Sequence, residues 1–289
     1  MSHFTCLVIG NNPEDQLAPY DENIEVAPQV RGDVSEEEKQ SMIDHYKSEG
    51  IEYPTFDELY KNKGGNWNGN TWSKQGNKWV KISTYNPNSK WDWYQLGGRW
   101  TGFLKLKEGT NGVVGEPSLI SERRAKPGYV DVAAKKDIDF EGMKNLAGEK
   151  ASKEYDEVMS LIGHTEPNTP WSDFVKRVEN KEISIDVARK EYHAQPRLVE
   201  ASKHKEKLGY FFEADEYLVS KEKYVEDARN SAITTFAVLK DGVWYEKGKM
   251  GWFAMVSDEQ EQGDWNKKIN ELIDSVDDDT LISIYDCHI

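Results

Sequence analysis

The chain is predicted to adopt an α+β fold, an antiparallel or mixed sheet built from both chain ends with a helical insertion in the middle. Three observations carry this. "SHFTCLVIG" (2–10) and "DDTLISIYDCHI" (278–289) are short apolar runs rich in β-formers, one near each end of the sequence. From Phe140 to about Val225 the apolar spacing turns helical. Strands then resume in a β-β-β-α-β order, and strands segregated from helices indicate α+β rather than alternating α/β. Residues 1–139 and 226–289 are therefore expected to form the body, and 140–225 an inserted helical subdomain.

Taken in order, the first strand ends at the turn cluster "GNNPED", and "LAPYDENIEV" reads as irregular or short-stranded. "SEEEKQSMIDHYKSEG" (35–50) is a helix, with Ser35 as N-cap, Glu38 completing a capping box and Gly50 beyond the end. A short helix follows from Thr55 to about Asn62, again with a Glu, Glu58, three residues after the cap. The glycine- and asparagine-rich run at 62–78 reads as a loop or hairpin. "KWVKISTY" (78–85) and "RWTGFLKLK" (99–107) read as strands, and short strands are expected near "GYVDVAAKKD". Within the helical middle, Pro196 interrupts the loose spacing of Val187, Tyr192 and Leu198. "TTFAVLKDGVWYEK" (234–247) is a hairpin turning on Asp241-Gly242, the type I′ pair. "GWFAMVSD" (251–258) is a third strand. "DWNKKINELIDSV" (264–276) is amphipathic, with Trp265, Ile269, Leu272, Ile273 and Val276 on one stripe. The first and last strands are expected in one sheet, as possible neighbours.

With 37% hydrophobic and 31% charged residues, the 289-residue chain is globular but polar. No run is apolar enough to span a membrane, and the first residues lack the basic start of a signal peptide, so a soluble cytoplasmic protein is expected. Cys6 and Cys287 do not make a disulfide framework. A net charge of −15 argues against direct nucleic-acid binding. It suits either plain solubility or docking on a basic partner, and a homo-oligomer stays possible.

The stretch "STYNPNSKWDWYQLGGRWTG" (83–102) carries the strongest functional signal. One reading is an aromatic hairpin covering a core edge, with Gly97-Gly98 as its turn. The other is a ligand or partner platform. Trp91, Trp93, Tyr94 and Trp100 would offer ring faces. Arg99 would supply a planar fork for phosphate or carboxylate, and Gly97 and Gly98 a close backbone approach to an anion. Asn86, Lys90 and Asp92 are the polar groups threaded among the rings. Core packing alone does not explain Arg99, which needs either a carboxylate (Asp92 or Asp286) or an anionic ligand.

The C-terminal "YDCHI" is the second candidate. On a strand Asp286 and His288 share a face and Cys287 points away, so Asp286 could orient His288 as a general base. His3 and His288 with Asp286 are weak candidates for a metal site, set against a chain end with polar caps. Cys287 as a nucleophile would require a lowered pKa. His45, His164, His193 and His204 read as solvated or capping residues. The P-loop, dinucleotide, zincin, serine-hydrolase and C-x-x-C patterns are absent, and no cofactor is expected.

Together "SHFTCLVIG", "LAPYDENIEV", the 83–102 segment and "DTLISIYDCHI" resemble a family of proteins from bacteriophages and mobile elements. The resemblance covers both ends and the segment near residue 90, not the helical middle, and brings no reaction with it. It implies a phage accessory protein acting on host machinery, including antiviral defence. Two functions follow as expectations. One is a binding protein that inhibits a host protein complex or captures a nucleotide-type ligand. The other is a small hydrolase or transferase on a phosphate-bearing substrate, with His288 as base and Arg99 on the anion.

Overall fold

A computed structural model describes residues 2–64, 66–67, 70–250 and 255–289. The chain forms two compact units, one of Met1–Pro13 with Gln95–Cys287, the other of Glu14–Tyr94 with His288–Ile289. The helical middle falls in the same unit as the main sheet.

The main sheet runs in the order Val243–Glu246, Ala237–Lys240, His3–Ile9, Leu281–His288, Trp93–Leu96. Val132–Ala134 also pairs, antiparallel, with the Leu281–His288 strand. The sheet is mixed, since His3–Ile9 lies parallel to Ala237–Lys240 while the latter turns back antiparallel onto Val243–Glu246. As expected, the first and last strands are neighbours. Both are almost wholly buried, which explains why they are mostly apolar, with Thr5, Ser283 and Asp286 as their buried polar exceptions. Asp241 and Gly242 take φ of 53° and 71°, the two positive values a type I′ turn requires.

The amphipathic helix forms as Gln262–Asp274. Its stripe packs Trp265, Ile269, Leu272 and Ile273 against Leu7, Ile9, Val238, Ile282 and Ile284. The Trp265 Nε1–H donates to the Thr235 carbonyl at 2.8 Å, so burying this ring strands no polar atom. Pro196 sits in the first turn of the helix Pro196–Lys203, where its missing N–H costs nothing; it opens a helix rather than interrupting one.

Asp139 caps the longest helix, Phe140–Ile162, by accepting the Gly142 N–H at 2.9 Å, and it also pairs with Lys105. The Lys105 ammonium, then the Gly142 N–H, hold the Asp139 carboxyl below its ordinary range. A depressed folded-state pKa adds stability that is present above the unfolded value, about 3.9, and lost as pH falls through the folded value. Asp139→Ala is expected to cost about 1 kcal/mol at neutral pH, mostly the cap. Urea unfolding at neutral pH and in acid should show the difference from wild type shrinking in acid; an equal difference at both would refute the assignment.

Within the second unit, Gln29–Asp33, Lys78–Ser83, Asn70–Gln75 and Asn66–Trp67 form a four-stranded sheet in that order. Ser35 and Glu38 complete the capping box of Glu36–Ser48, and Thr55 caps Phe56–Lys63. Met42, Phe56, Leu59, Trp72 and Trp79 make this unit's own core. Gly65, Asn68 and Gly69 of the expected 62–78 hairpin lie outside the described residues. So do residues 251–254 of the expected strand at 251–258; Val256–Ser257 pairs with Lys249–Met250.

Candidate functional site: two histidine–aspartate pairs and a braced loop

In the first unit, the strand Leu281–His288 carries Asp286 into the interior, where it is fully buried. His3 Nδ1–H donates to Asp286 Oδ1 at 2.7 Å, and the backbone N–H of Arg99 donates to Oδ2 at 2.9 Å. Asp131, also fully buried, takes four donors. Its Oδ1 accepts the N–H groups of Gly102 (2.7 Å) and Phe103 (3.3 Å). Its Oδ2 accepts the Gly115 N–H (2.8 Å) and the Thr101 hydroxyl (3.1 Å). Two carboxylates therefore brace the loop from Gly97 to Phe103. This also limits the expected 99–107 strand to Leu104–Lys105, since the amides of 102 and 103 face Asp131 rather than a neighbouring strand.

The braced loop accounts for the glycine pair. Gly97 and Gly98 have φ of 75° and 51°, in the left-handed region. A Cβ on Gly97 would lie 2.6 Å from Asp131 Oδ2, and one on Gly98 would lie 2.4 Å from Asp286 Oδ2. The close approach to an anion expected at these glycines is thus made to carboxylates of the protein itself. Trp100 packs against the main core. Arg99 is different. Its Nε is buried without a hydrogen-bond partner. Both carboxylates expected to receive it are engaged elsewhere, Asp286 with His3 and the Arg99 main chain, Asp92 with His288.

In the second unit, His288 Nδ1–H donates to Asp92 Oδ1 at 2.6 Å, while the Asp92 N–H donates to the His288 carbonyl at 2.9 Å. Asn86 is buried and structural. Its Nδ2 donates to the carbonyls of Pro19 and Asp21, and its Oδ1 accepts the Asn88 N–H. The Lys90 N–H donates to the Tyr20 carbonyl. Trp91 is buried, packs edge-on against Tyr94 at 4.8 Å, and keeps a buried Nε1 without a partner. Trp93 is half exposed. Within the 86–100 segment, Asn86 to Tyr94 belong to the second unit, and Gly97 to Trp100 to the first.

The two histidines are oriented as a general base would be, but the pairing differs from the sequence reading. Asp286 holds His3, and Asp92 holds His288. Both partners come from segments far away in the sequence rather than from the strand itself. Among the described residues no three His, Cys, Asp or Glu side chains come together to hold a metal ion, so His3, Asp286 and His288 do not form one centre. Burial, then the neighbouring Cys6 thiol, push the Cys287 thiol well above its usual range, the opposite of an activated nucleophile.

Sequence reasoning did not find a cavity of about 850 Å³ in the helical block, lined by Trp171, Tyr192, Phe212 and Asp215 among others. Its rings come from separate helices and a loop, so no single window of sequence shows them together. No protein-family model, curated protein or solved structure matches the chain.

Proposed function

We propose that this chain is a binding protein that captures a nucleotide-type anion through Arg99, in the setting its sequence resemblance implies, a phage accessory protein directed at a host antiviral system. The observation that supports the reading is the buried, partnerless Arg99 Nε, while Asp286, which its own backbone N–H reaches, is already engaged by His3. A guanidinium donor removed from water and given no acceptor is costly, and a phosphate is the ligand that matches its planar fork. The polar but strongly acidic chain has no general attraction for anions, so capture depends on such a local site.

Isothermal titration of pyrophosphate and ATP into wild type and Arg99→Ala tests the proposal. The variant is expected to unfold within a few degrees of wild type yet bind about tenfold or more weakly, the loss of a charge-assisted contact. Undiminished binding, or no binding to wild type, would overturn it. Affinity purification from infected cells tests the host-complex form of the same reading.

The His3–Asp286 pair favours a second reading, a hydrolase or transferase acting on the bound phosphate-bearing molecule, with His3 rather than His288 as the oriented base. Chromatography of the titrated ATP decides between the two: intact nucleotide after prolonged incubation supports capture, and a product supports turnover.

A further inference from the structure

We propose that the helical block holds a second ligand site, unrelated to Arg99, that takes a planar ring carrying an anionic group. The site is the 850 Å³ cavity bordered by the helices Trp171–Glu179, Ile185–His193 and Pro196–Lys203 and by the chain from Lys205 to Asp215. That volume is within the range of small-molecule sites.

Its walls are aromatic and fixed in place. Trp171 and Tyr192 meet edge to face with centroids 5.2 Å apart. A single carboxylate ties the two segments together: Asp215 accepts the Trp171 backbone N–H at 2.6 Å, the Tyr192 hydroxyl at 2.8 Å and the Asn168 side-chain amide at 2.6 Å. Burial and the Asp215 carboxylate push the Tyr192 phenol far up, so the hydroxyl keeps its proton and the bond. A wall already ordered before binding reduces the entropy cost of receiving a flat ring. Phe212 lines the same space, and Tyr210 stands at its border 91% exposed, an aromatic face not used in packing.

The charges select the ligand's sign. Asp215 is already met by three donors, which leaves Glu213 as the other carboxylate of the lining. Against it stand Arg189 on the Ile185–His193 helix and Lys205 at the start of the following segment, with His193 also among the lining. Among the described residues Arg189 pairs only with the exposed Asp186, at 3.8 Å. In a chain of net charge −15, two cations bordering an aromatic cavity favour an anion over the quaternary ammonium that an aromatic box with free carboxylates would take.

Fluorine NMR of the full chain labelled with 5-fluorotryptophan reads this site separately from Arg99, because Trp171, assigned through Trp171→Phe, reports on the cavity wall. Millimolar AMP is expected to shift the Trp171 resonance. Adenosine should need about tenfold more to match it, and choline should leave it unmoved. Ser202→Trp, which places a bulky ring from an exposed lining position into the cavity, should abolish the shift. The surface double variant Arg189→Ala/Lys205→Ala should weaken it about tenfold and keep the test valid if the filled variant does not fold. A Trp171 resonance unmoved by AMP, a larger response to choline, or a response unchanged in the double variant would overturn the proposal. Arg99→Ala should leave the response intact, so the two sites fail or stand independently.

Discussion

Asp131→Ala is expected to lose about 3–5 kcal/mol of folding stability, enough to unfold a marginal domain. The size follows from the four donors that converge on this carboxylate, three backbone N–H groups and one hydroxyl. Asp131 is fully buried, so the truncation leaves them facing a small void with little access to solvent. Each unsatisfied buried donor costs about 1–3 kcal/mol before relaxation. Asp131→Asn keeps the shape but turns an NH₂ toward donors on one side, so it should recover only part of the loss. Urea unfolding followed by circular dichroism measures this. A loss below about 1 kcal/mol for Asp131→Ala would mean that the loop is held by other contacts.

Gly98→Ala should be nearly as damaging, for a steric reason. The left-handed φ alone costs a non-glycine residue about 1 kcal/mol. The new methyl would also sit 2.4 Å from the Cβ and Oδ2 of Asp286, so it cannot be relieved by swinging the end of a flexible chain. Moving Asp286 breaks its bonds to His3 and to the Arg99 N–H, and the total is expected to reach about 3 kcal/mol or more. Gly109→Ala is the matched control. It has φ of 80° and nothing within 4 Å of the added methyl, so it should show the backbone cost alone. Equal losses for the two variants in thermal unfolding would remove the contact with Asp286 from the explanation.

What could be read beforehand was what depends on neighbours in sequence. The Asp241-Gly242 turn, the Ser35–Glu38 capping box and the stripe of Gln262–Asp274 all formed, because each needs only residues a few positions apart. The pairing of the first and last strands was also legible, since two short apolar strands at opposite ends must bury both faces. The candidate site was legible by residue but not by partner. Asp286, His288, Asp92 and Arg99 were singled out, and His3 was set beside Asp286 as a metal ligand, whereas the two meet through a hydrogen bond across 283 residues. Asp131 was not singled out at all. An aspartate between two valines in a strand-like run looks like a turn residue until the amides of Gly102, Phe103 and Gly115 arrive around it. The aromatic segment divides between the two units, with buried Trp91 against Tyr94 in the second and Trp100 against the main core of the first.

The place of Leu281–His288 in the main sheet, between His3–Ile9 and Trp93–Leu96, bears on how the molecule is made. On a ribosome the first strand emerges long before its neighbour exists, and it must wait through the synthesis of more than two hundred residues. Until then its edge is open, and so is the inner edge of the 93–96 strand, both liable to pair with the wrong chain. Asp286 arrives with that same late strand, so the contact that holds the Arg99 N–H beside Gly98 forms only after residue 286 has left the exit tunnel. Completion of the sheet thus joins segments more than two hundred residues apart, a slow class of folding step. Nascent chains stalled before residue 281 should remain sensitive to protease across the first strand and the 97–103 loop alike, and should gain resistance in both together once the last strand is released.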